Sequence, residues 1–85
     1  MDIRQLNALV AVVDHGTFSA AAKSLHTVQS NISTHISRLE RELDVSLIDR
    51  SSGTLTEEGV LVVERARRIQ TELEAIALDV TAVQS

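Results

Sequence analysis

Apolar residues recur at helical spacing over the first 25 positions and predict two helices in tandem. From Ile3 to Val13 they follow the i, i+3, i+4, i+7 pattern of an amphipathic helix, and Gly16 is placed to end it. Thr17 is a candidate N-cap for a short second helix, Phe18 to Leu25, in which three consecutive alanines allow close packing of another backbone. The start of the chain therefore predicts a long and a short helix joined by a tight turn.

A third helix is predicted from about Val28 to Leu43, with Thr27 as its candidate N-cap. Its buried stripe consists of Ile32, Ile36, Leu39 and Leu43. With a step of about 100° per residue, the opposite face holds short hydroxyls near the start and guanidinium groups farther along. We expect Ser30, Thr34, Ser37 and Arg41 to point directly outward, with Ser33 on the flank and Arg38 beside Arg41.

The helical period fails between Asp44 and Thr56, where apolar and polar residues alternate around a turn-like Ser-Ser-Gly. This pattern predicts a small two-stranded hairpin, Val45 to Arg50 and Thr54 to Thr56. Thr56 then caps a final helix, and the helix dipole favours the two acidic residues, Glu57 and Glu58, in its first turn.

The final helix carries an apolar stripe whose spacing alternates between four and three residues: Val62, Ala66, Ile69, Leu73, Ile76, Val80 and Val83. In a fold of 85 residues whose core is already formed by three helices, so long a stripe cannot be buried. A stripe exposed to solvent favours aggregation. We therefore predict a homodimer formed by this helix. Its first turns are expected to pack on the first helix through Leu61 and Val62.

Composition narrows the classes of function. The chain has no cysteine and only three scattered histidines, so disulfides, thiolate metal sites and a closed zinc site are disfavoured. The sequence contains neither a glycine-flanked nucleophile elbow nor a glycine-rich phosphate-binding loop. We therefore predict that the protein is not an enzyme and that it binds no metal and no cofactor. The start of the chain does not look like a signal peptide, and no apolar run is long enough to span a membrane, so the expected location is the cytoplasm.

The tandem helices match the layout of a helix-turn-helix, in which the second helix of the motif enters the DNA major groove. Gln29 and Val28 stand where base contacts are made, because an amide pairs with adenine and an apolar group meets the thymine methyl. The hairpin arginine, Arg50, is placed to reach phosphate or a narrow minor groove. Its alternative role is to pair with Asp49, Glu57 or Glu58.

The acidic balance, with a net charge of −4, argues against a nonspecific polyanion binder. The excess acid is localised, since residues 1–56 hold five basic and six acidic residues and residues 57–85 hold three and six. A nearly neutral first part predicts modest DNA affinity per protomer, which a dimer on two half-sites would raise. The rival interpretation is a helical protein-interaction module that dimerises and binds no DNA.

The stretch MDIRQLNALVAVVDHGTFSAAAKSLHTVQSNISTHISRLERELDVSLIDR, followed by a Thr-Glu-Glu-Gly helix start, resembles the N-terminal DNA-binding domain of LysR-type transcriptional regulators. The resemblance covers nearly the whole chain. It implies a mainly α fold, a winged helix-turn-helix of three helices and a short β wing over residues 1–57, followed by a linker and dimerisation helix over residues 58–85. The implied function is sequence-specific binding of a homodimer to double-stranded promoter DNA.

By the same resemblance, Gln29, Ser33 and Thr34 fall on base-contacting and phosphate-contacting positions, and Arg50 falls on the wing arginine. The family often has Ser-Gln-Pro-Ala where this chain has Val28, Gln29, Ser30 and Asn31, so the base preference of relatives does not transfer. The wing is also shorter than the common Arg-Thr-Gly-Arg-Gly type. Members normally carry a C-terminal domain that binds a small-molecule inducer, and this chain is expected to be the part that precedes it.

Overall fold

The computed structural model describes residues 1–85 and contains four helices and one two-stranded antiparallel sheet. In chain order the elements are α1 (Ile3–His15), α2 (Phe18–Ser24), α3 (Gln29–Leu43), β1 (Ile48–Asp49), β2 (Thr54–Leu55) and α4 (Glu57–Gln84). The predicted order of three helices, a hairpin and a long helix is confirmed. No helix in the structure has both the length and the apolar character that crossing a membrane requires.

The boundaries of α1 and α2 follow from local side-chain and backbone chemistry. The Asp2 carboxylate accepts a hydrogen bond from the Gln5 N–H and caps α1. Gly16 ends α1 in the left-handed region, at φ 87°, as the sequence predicts. The Thr17 hydroxyl accepts from the Ala20 N–H, which confirms Thr17 as the N-cap of α2. The two helices are therefore separated by a two-residue turn.

The turn between α2 and α3 is built without glycine. His26 adopts φ 57°, and the next N–H, that of Thr27, bonds back to the Ala22 carbonyl, which closes α2 in the manner of a Schellman motif. The prediction that Thr27 caps α3 is wrong. Val28 is the N-cap and provides no side-chain hydrogen bond, while the Thr27 hydroxyl accepts from the Asn31 amide at 2.7 Å.

The core is a single cluster of aliphatic side chains at the junction of α1, α2 and α3. Its largest fully buried members are Leu9, Ile32, Ile36, Leu39 and Leu47. Ala21 and Ala22 are buried in α2, and their small side chains let α2 lie close to its neighbours. The predicted stripe of α3 is thus confirmed at three positions, while Leu43, in the last turn, is only partly buried.

The hairpin is shorter than the sequence predicts. Only Ile48–Asp49 and Thr54–Leu55 pair, with Ile48 opposite Leu55 and Asp49 opposite Thr54. Before β1, the Val45 N–H bonds to the Glu40 carbonyl and the Leu47 N–H to the Glu40 carboxylate, while the Leu47 carbonyl accepts from the Thr56 N–H. We call residues 48–55 the wing.

The Asp49 carboxylate closes the turn of the wing. It accepts hydrogen bonds from the Ser51 hydroxyl and from the Ser51 and Ser52 N–H groups. These bonds hold the pKa of Asp49 below its ordinary value because they favour the charged carboxylate, and the bond from the Ser51 hydroxyl has the largest effect. The wing tip is therefore organised by its own side chains.

The start of α4 packs tightly against the domain. Thr56 caps it, accepting from the Gly59 N–H at 3.0 Å. Gly59 is buried against the chain before β1, where an added Cβ would lie 2.1 Å from the Leu47 carbonyl oxygen. This contact explains a glycine in the first turn of a helix, because no larger residue fits without movement.

Two predictions for α4 need correction. Leu61 is 55% exposed and does not pack on α1; Val63 is the buried residue of that turn, with Val62 partly buried beside it. Ala66, predicted to line a dimer interface, is 1% exposed within the protomer's own core. Helix α4 therefore leans on α1 by a face rotated from the predicted stripe.

Candidate nucleic-acid interface

The outer face of α3 is a continuous polar surface. A shallow open depression of about 290 Å³ is lined only by polar and charged side chains: Ser33, Thr34, Ser37, Arg38 and Arg41. We call these five residues the α3 surface. None of their side chains takes part in an intramolecular hydrogen bond or salt bridge, although many other polar side chains of the protein do. Their hydroxyl and guanidinium groups are therefore available to a ligand.

The exposure of individual residues differs in detail from the helical projection. Ser33, placed on the flank by the sequence, is exposed, whereas Ser37, predicted to face outward, is half-buried. Thr34 and Arg41 are exposed as predicted. The α3 surface is thus rotated slightly toward Ser33, and all five predicted residues still share one depression.

The first turn of α3 extends this surface. Val28 is 60% exposed, and Gln29 and Ser30 are exposed with no hydrogen-bond partner for their side chains. Asn31 differs, because its amide is used on Thr27 in the preceding turn. Gln29 therefore presents both an amide N–H₂ donor and a carbonyl acceptor to the solvent at the start of the helix.

Arg50 is not free in the same way. Its Nη2 donates to Glu40 Oε1 at 3.0 Å, its Nη1 donates to the Ile48 carbonyl at 3.2 Å, and its guanidinium lies 5.7 Å from the centre of the Phe18 ring. The alternative prediction, that Arg50 forms an ion pair with a carboxylate of this chain, is confirmed. The partners named from the sequence were wrong, because a residue ten positions earlier on α3 supplies the carboxylate.

Charge is unevenly distributed around the α3 surface. Arg38 and Arg41 are exposed and have no acidic partner, whereas the neighbouring acid Glu42 is paired with the N-terminal ammonium of Met1. Arg67, on α4, is paired with Asp14. The α3 surface therefore carries two unpaired positive charges, although the chain as a whole is acidic.

A second surface is the distal part of α4. Its exposed apolar residues repeat along one side of the helix at Ile69 (40% exposed), Leu73 (51%), Ile76 (61%), Val80 (52%) and Val83 (87%). We call these five residues the α4 stripe. The protomer leaves each of them at least 40% exposed, and of the seven positions predicted for a dimer interface only Ala66 is fully buried and Val62 partly so.

No group of three or more histidine, aspartate or glutamate side chains is gathered where it could hold a metal ion. His15 ends α1, His26 provides the left-handed turn residue, and His35 is half-buried on α3. The histidines thus lie in three separate surroundings, and none of them lines the depression of the α3 surface.

The arrangement of α2, α3 and the β1–β2 hairpin defines a winged helix-turn-helix domain. Residues 3–60 match the family described as bacterial regulatory helix-turn-helix protein, lysR family. The chain belongs to this family.

Curated relatives of the same family match most of this chain. It is 41% identical over 78 residues to the hydrogen peroxide-inducible genes activator of Pectobacterium carotovorum subsp. carotovorum, and 40% identical over 78 residues to the DNA-binding transcriptional dual regulator OxyR of Escherichia coli K12. Both matches cover 89% of this chain and 26% of the relative. The chain therefore spans about a quarter of the length of these relatives.

Solved structures agree along the whole chain. The BenM_DBD/benA site 1 DNA complex superimposes with a TM-score of 0.91 at 30% identity, covering 100% of this chain and 98% of that one. The CbnR_DBD–DNA complex gives a TM-score of 0.86 at 36% identity and covers 100% of both chains. The winged helix-turn-helix followed by a long helix is thus shared with domains whose structures were solved on DNA.

Proposed function

We propose that this chain is the DNA-binding part of a LysR-type transcriptional regulator and binds double-stranded DNA sequence-specifically, with α3 in the major groove. The observation that carries the proposal is the α3 surface, an open polar face with two unpaired arginines on the second helix of a helix-turn-helix. Side chains of this kind bind phosphates and base edges, and short hydroxyls allow the helix to approach closely. Similar domains solved in complexes with DNA support the DNA-binding part of this proposal.

We assign different roles in DNA binding to the first turn of α3 and to the arginines of the α3 surface. Val28, Gln29 and Ser30 lie at the N-terminal end, where residues of such helices meet base edges. Arg38 and Arg41 lie two to three turns later and are assigned to phosphates. Arg50, which the sequence also places on DNA, is left out of this assignment because its guanidinium is turned toward Glu40.

The proposal includes a homodimer through residues 58–85, with residues 1–57 as the DNA-binding domain. The α4 stripe has the alternating spacing of four and three residues that a partner helix covers in a coiled coil. Two domains on one dimer would read two half-sites, which compensates for the low net charge of each domain. The full-length protein is proposed to carry an additional inducer-binding domain, since the relatives are about three and a half times as long as this chain.

Selection of duplexes from a random-sequence library by the 85-residue chain tests this proposal. We expect a recurrent pair of half-sites, and an affinity for the selected duplex that falls steeply with salt because bound DNA releases counterions. Replacing both Arg38 and Arg41 with alanine should lower the slope of log affinity against log salt by about two per protomer. Arg68→Ala, which removes an exposed and unpaired arginine from α4, is the matched control and should leave the slope unchanged.

The rival protein-interaction module makes the opposite prediction. Such a module selects no duplex, and any weak binding to DNA is insensitive to the two arginines of α3. Recovery of random sequences only would therefore contradict the proposed function.

A further inference from the structure

Glu40 is a carboxylate of α3 that points into the protein. Its side chain is 16% exposed, compared with 50% for Glu42 two residues later. Oxygen Oε2 accepts the Leu47 N–H at 2.7 Å and the Ile48 N–H at 3.4 Å. These two N–H groups lie where the chain enters β1, so Glu40 ties the root of the wing to α3.

The other carboxylate oxygen holds Arg50. The guanidinium donates to Oε1 at 3.0 Å, and it also reaches the Ile48 carbonyl and the face of Phe18. Phe18 is the first residue of α2. The pair of Glu40 and Arg50 therefore joins α2, α3 and β1, the three elements whose relative positions determine how α3 and the wing meet a duplex.

The contacts of Arg50 conflict with a primary role on phosphate. Its positive charge is already balanced by Glu40 at hydrogen-bond distance, beside a partly buried ring. Moving the guanidinium to a DNA phosphate would break that ion pair and leave the sheltered carboxylate without its partner. The net gain from such an exchange is small compared with that from Arg38 or Arg41, which have no partner to lose.

We propose that Glu40 and Arg50 form an internal bracket that fixes the wing against α3, and that Arg50 affects DNA binding through this position and not as a phosphate ligand. Both are positioning residues. The inference about DNA rests on the proposed function, whereas the bracket itself can be tested without DNA.

The first test uses the 85-residue chain alone in a double-mutant cycle of thermal unfolding. Glu40→Gln keeps the size and an acceptor oxygen for Leu47 but removes the charge, and Arg50→Ala removes the guanidinium. Each should lower Tm by about 3–6 °C, and the double variant should unfold near the less stable single variant. Glu64→Gln, an exposed carboxylate of α4 with no salt bridge, is the control. Additive losses in the double variant would overturn the bracket.

The second test measures salt dependence on a selected duplex and on a scrambled duplex of the same length. Arg50→Ala and Glu40→Gln should each weaken binding to the selected duplex by about three- to tenfold and leave the salt slope unchanged, because no phosphate contact is lost. Arg41→Ala should lower the slope by about one, which shows that the assay detects a phosphate contact.

Two results would overturn the positioning role. One is a slope that falls by about one in Arg50→Ala; the other is tighter binding of both duplexes by Glu40→Gln, because that variant frees Arg50 for phosphate. If the unchanged chain binds neither duplex, the proposed function fails, while the unfolding cycle still decides whether the bracket exists.

Discussion

Helices α3 and α4 are both amphipathic, yet their apolar faces have opposite surroundings. In α3, Ile32 and Ile36 are fully buried by the protein's own chain, and the polar face is outside. In α4, which has 28 residues, the buried positions are Gly59, Val63 and Ala66, all within its first ten residues. Amphipathic periodicity therefore specifies that a face must be covered, but it does not specify which molecule covers it.

Length explains why the two helices differ. A helix of 28 residues is about 42 Å long, so α4 nearly spans the 51 Å longest dimension of the molecule, whose other dimensions are 25 and 19 Å. Only the first part of α4 can lie against the rest of the domain, chiefly against α1 and β2. The first ten residues therefore supply the fully buried side chains of α4, Arg67 and Gln70 still bond to α1, and the remainder projects with its apolar residues exposed.

The largest expected effect comes from placing charge in the α4 stripe. Replacing Leu73 and Ile76 together with glutamate should weaken dimerisation by at least about a thousandfold, because four uncompensated carboxylates would be buried in one interface. Sedimentation equilibrium should then report monomers that are still folded, since both side chains are more than half exposed in the protomer.

Leu78→Glu is the matched control for this prediction. Leu78 is 72% exposed but lies on the opposite side of α4 from Ile69, so this change should leave the dimer intact. A double variant that still sediments as a dimer would show that the α4 stripe is not the interface.

The next largest effect is expected at Gly59, where α4 joins the core. Glycine to alanine in a helix ordinarily stabilises by up to about 1 kcal/mol, but here the new Cβ would overlap the Leu47 carbonyl. We expect Gly59→Ala to lower the free energy of unfolding by about 2–3 kcal/mol, measured by urea denaturation. In Gly53→Ala the new Cβ has no atom within 4 Å. This variant should lose less free energy of unfolding, because only the φ of 74° is unfavourable for alanine. A stabilised Gly59→Ala would contradict the close contact of α4 with the core.

These two regions also show how far the sequence could be interpreted. Periodicity and capping residues predicted all four helices, and the caps at Thr17 and Thr56 were found where expected. The packing face of α4 was predicted incorrectly at Leu61 and Ala66. Helical spacing identifies an apolar sector, but the angle at which one helix leans on another depends on contacts such as Gly59 against Leu47, which are remote in sequence.

The site was predictable to a similar extent. The five residues of the α3 surface follow from which face is apolar, and the structure places them together. The role of Glu40 was missed, because on a helix surface a glutamate among arginines looks like any solvated acid. Its inward orientation depends on where Leu47 and Arg50 lie in the folded chain, and the spacing of residues along α3 carries no signal of that.

A smaller effect, confined to specificity, is expected for Gln29. The amide can make paired hydrogen bonds to one base, so Gln29→Ala should cost about 1–3 kcal/mol on the selected duplex and little on a scrambled one. Fluorescence anisotropy on both duplexes measures the difference. Gln84→Ala, at the end of α4, is the control and should change neither affinity. Equal weakening on both duplexes would place Gln29 on the backbone and not on a base.

The smallest effect is expected at an exposed ion pair between α4 and α1. Arg67 of α4 donates to Asp14 of α1 at 2.7 and 3.4 Å, and this hydrogen bond lowers the pKa of Asp14 below its ordinary value of 3.8. A carboxyl whose pKa is lower in the folded state than in the unfolded state stabilises the fold when the pH is above its unfolded-state pKa. This stabilisation is lost as the pH falls through its folded-state pKa. Since Asp14 is 44% exposed, we expect no more than about 0.5 kcal/mol.

Urea denaturation of Arg67→Gln and the unchanged chain across the acid range measures this contribution. The difference between them should be constant from neutral pH to about pH 5 and should vanish as the pH falls below 3.8, because protonated Asp14 no longer attracts the guanidinium. The other lowered carboxyls, Asp2 and Asp49, are present in both proteins and cancel in the comparison. A difference that persists in acid would mean that Arg67 holds α4 to α1 through its aliphatic stem and not through its charge.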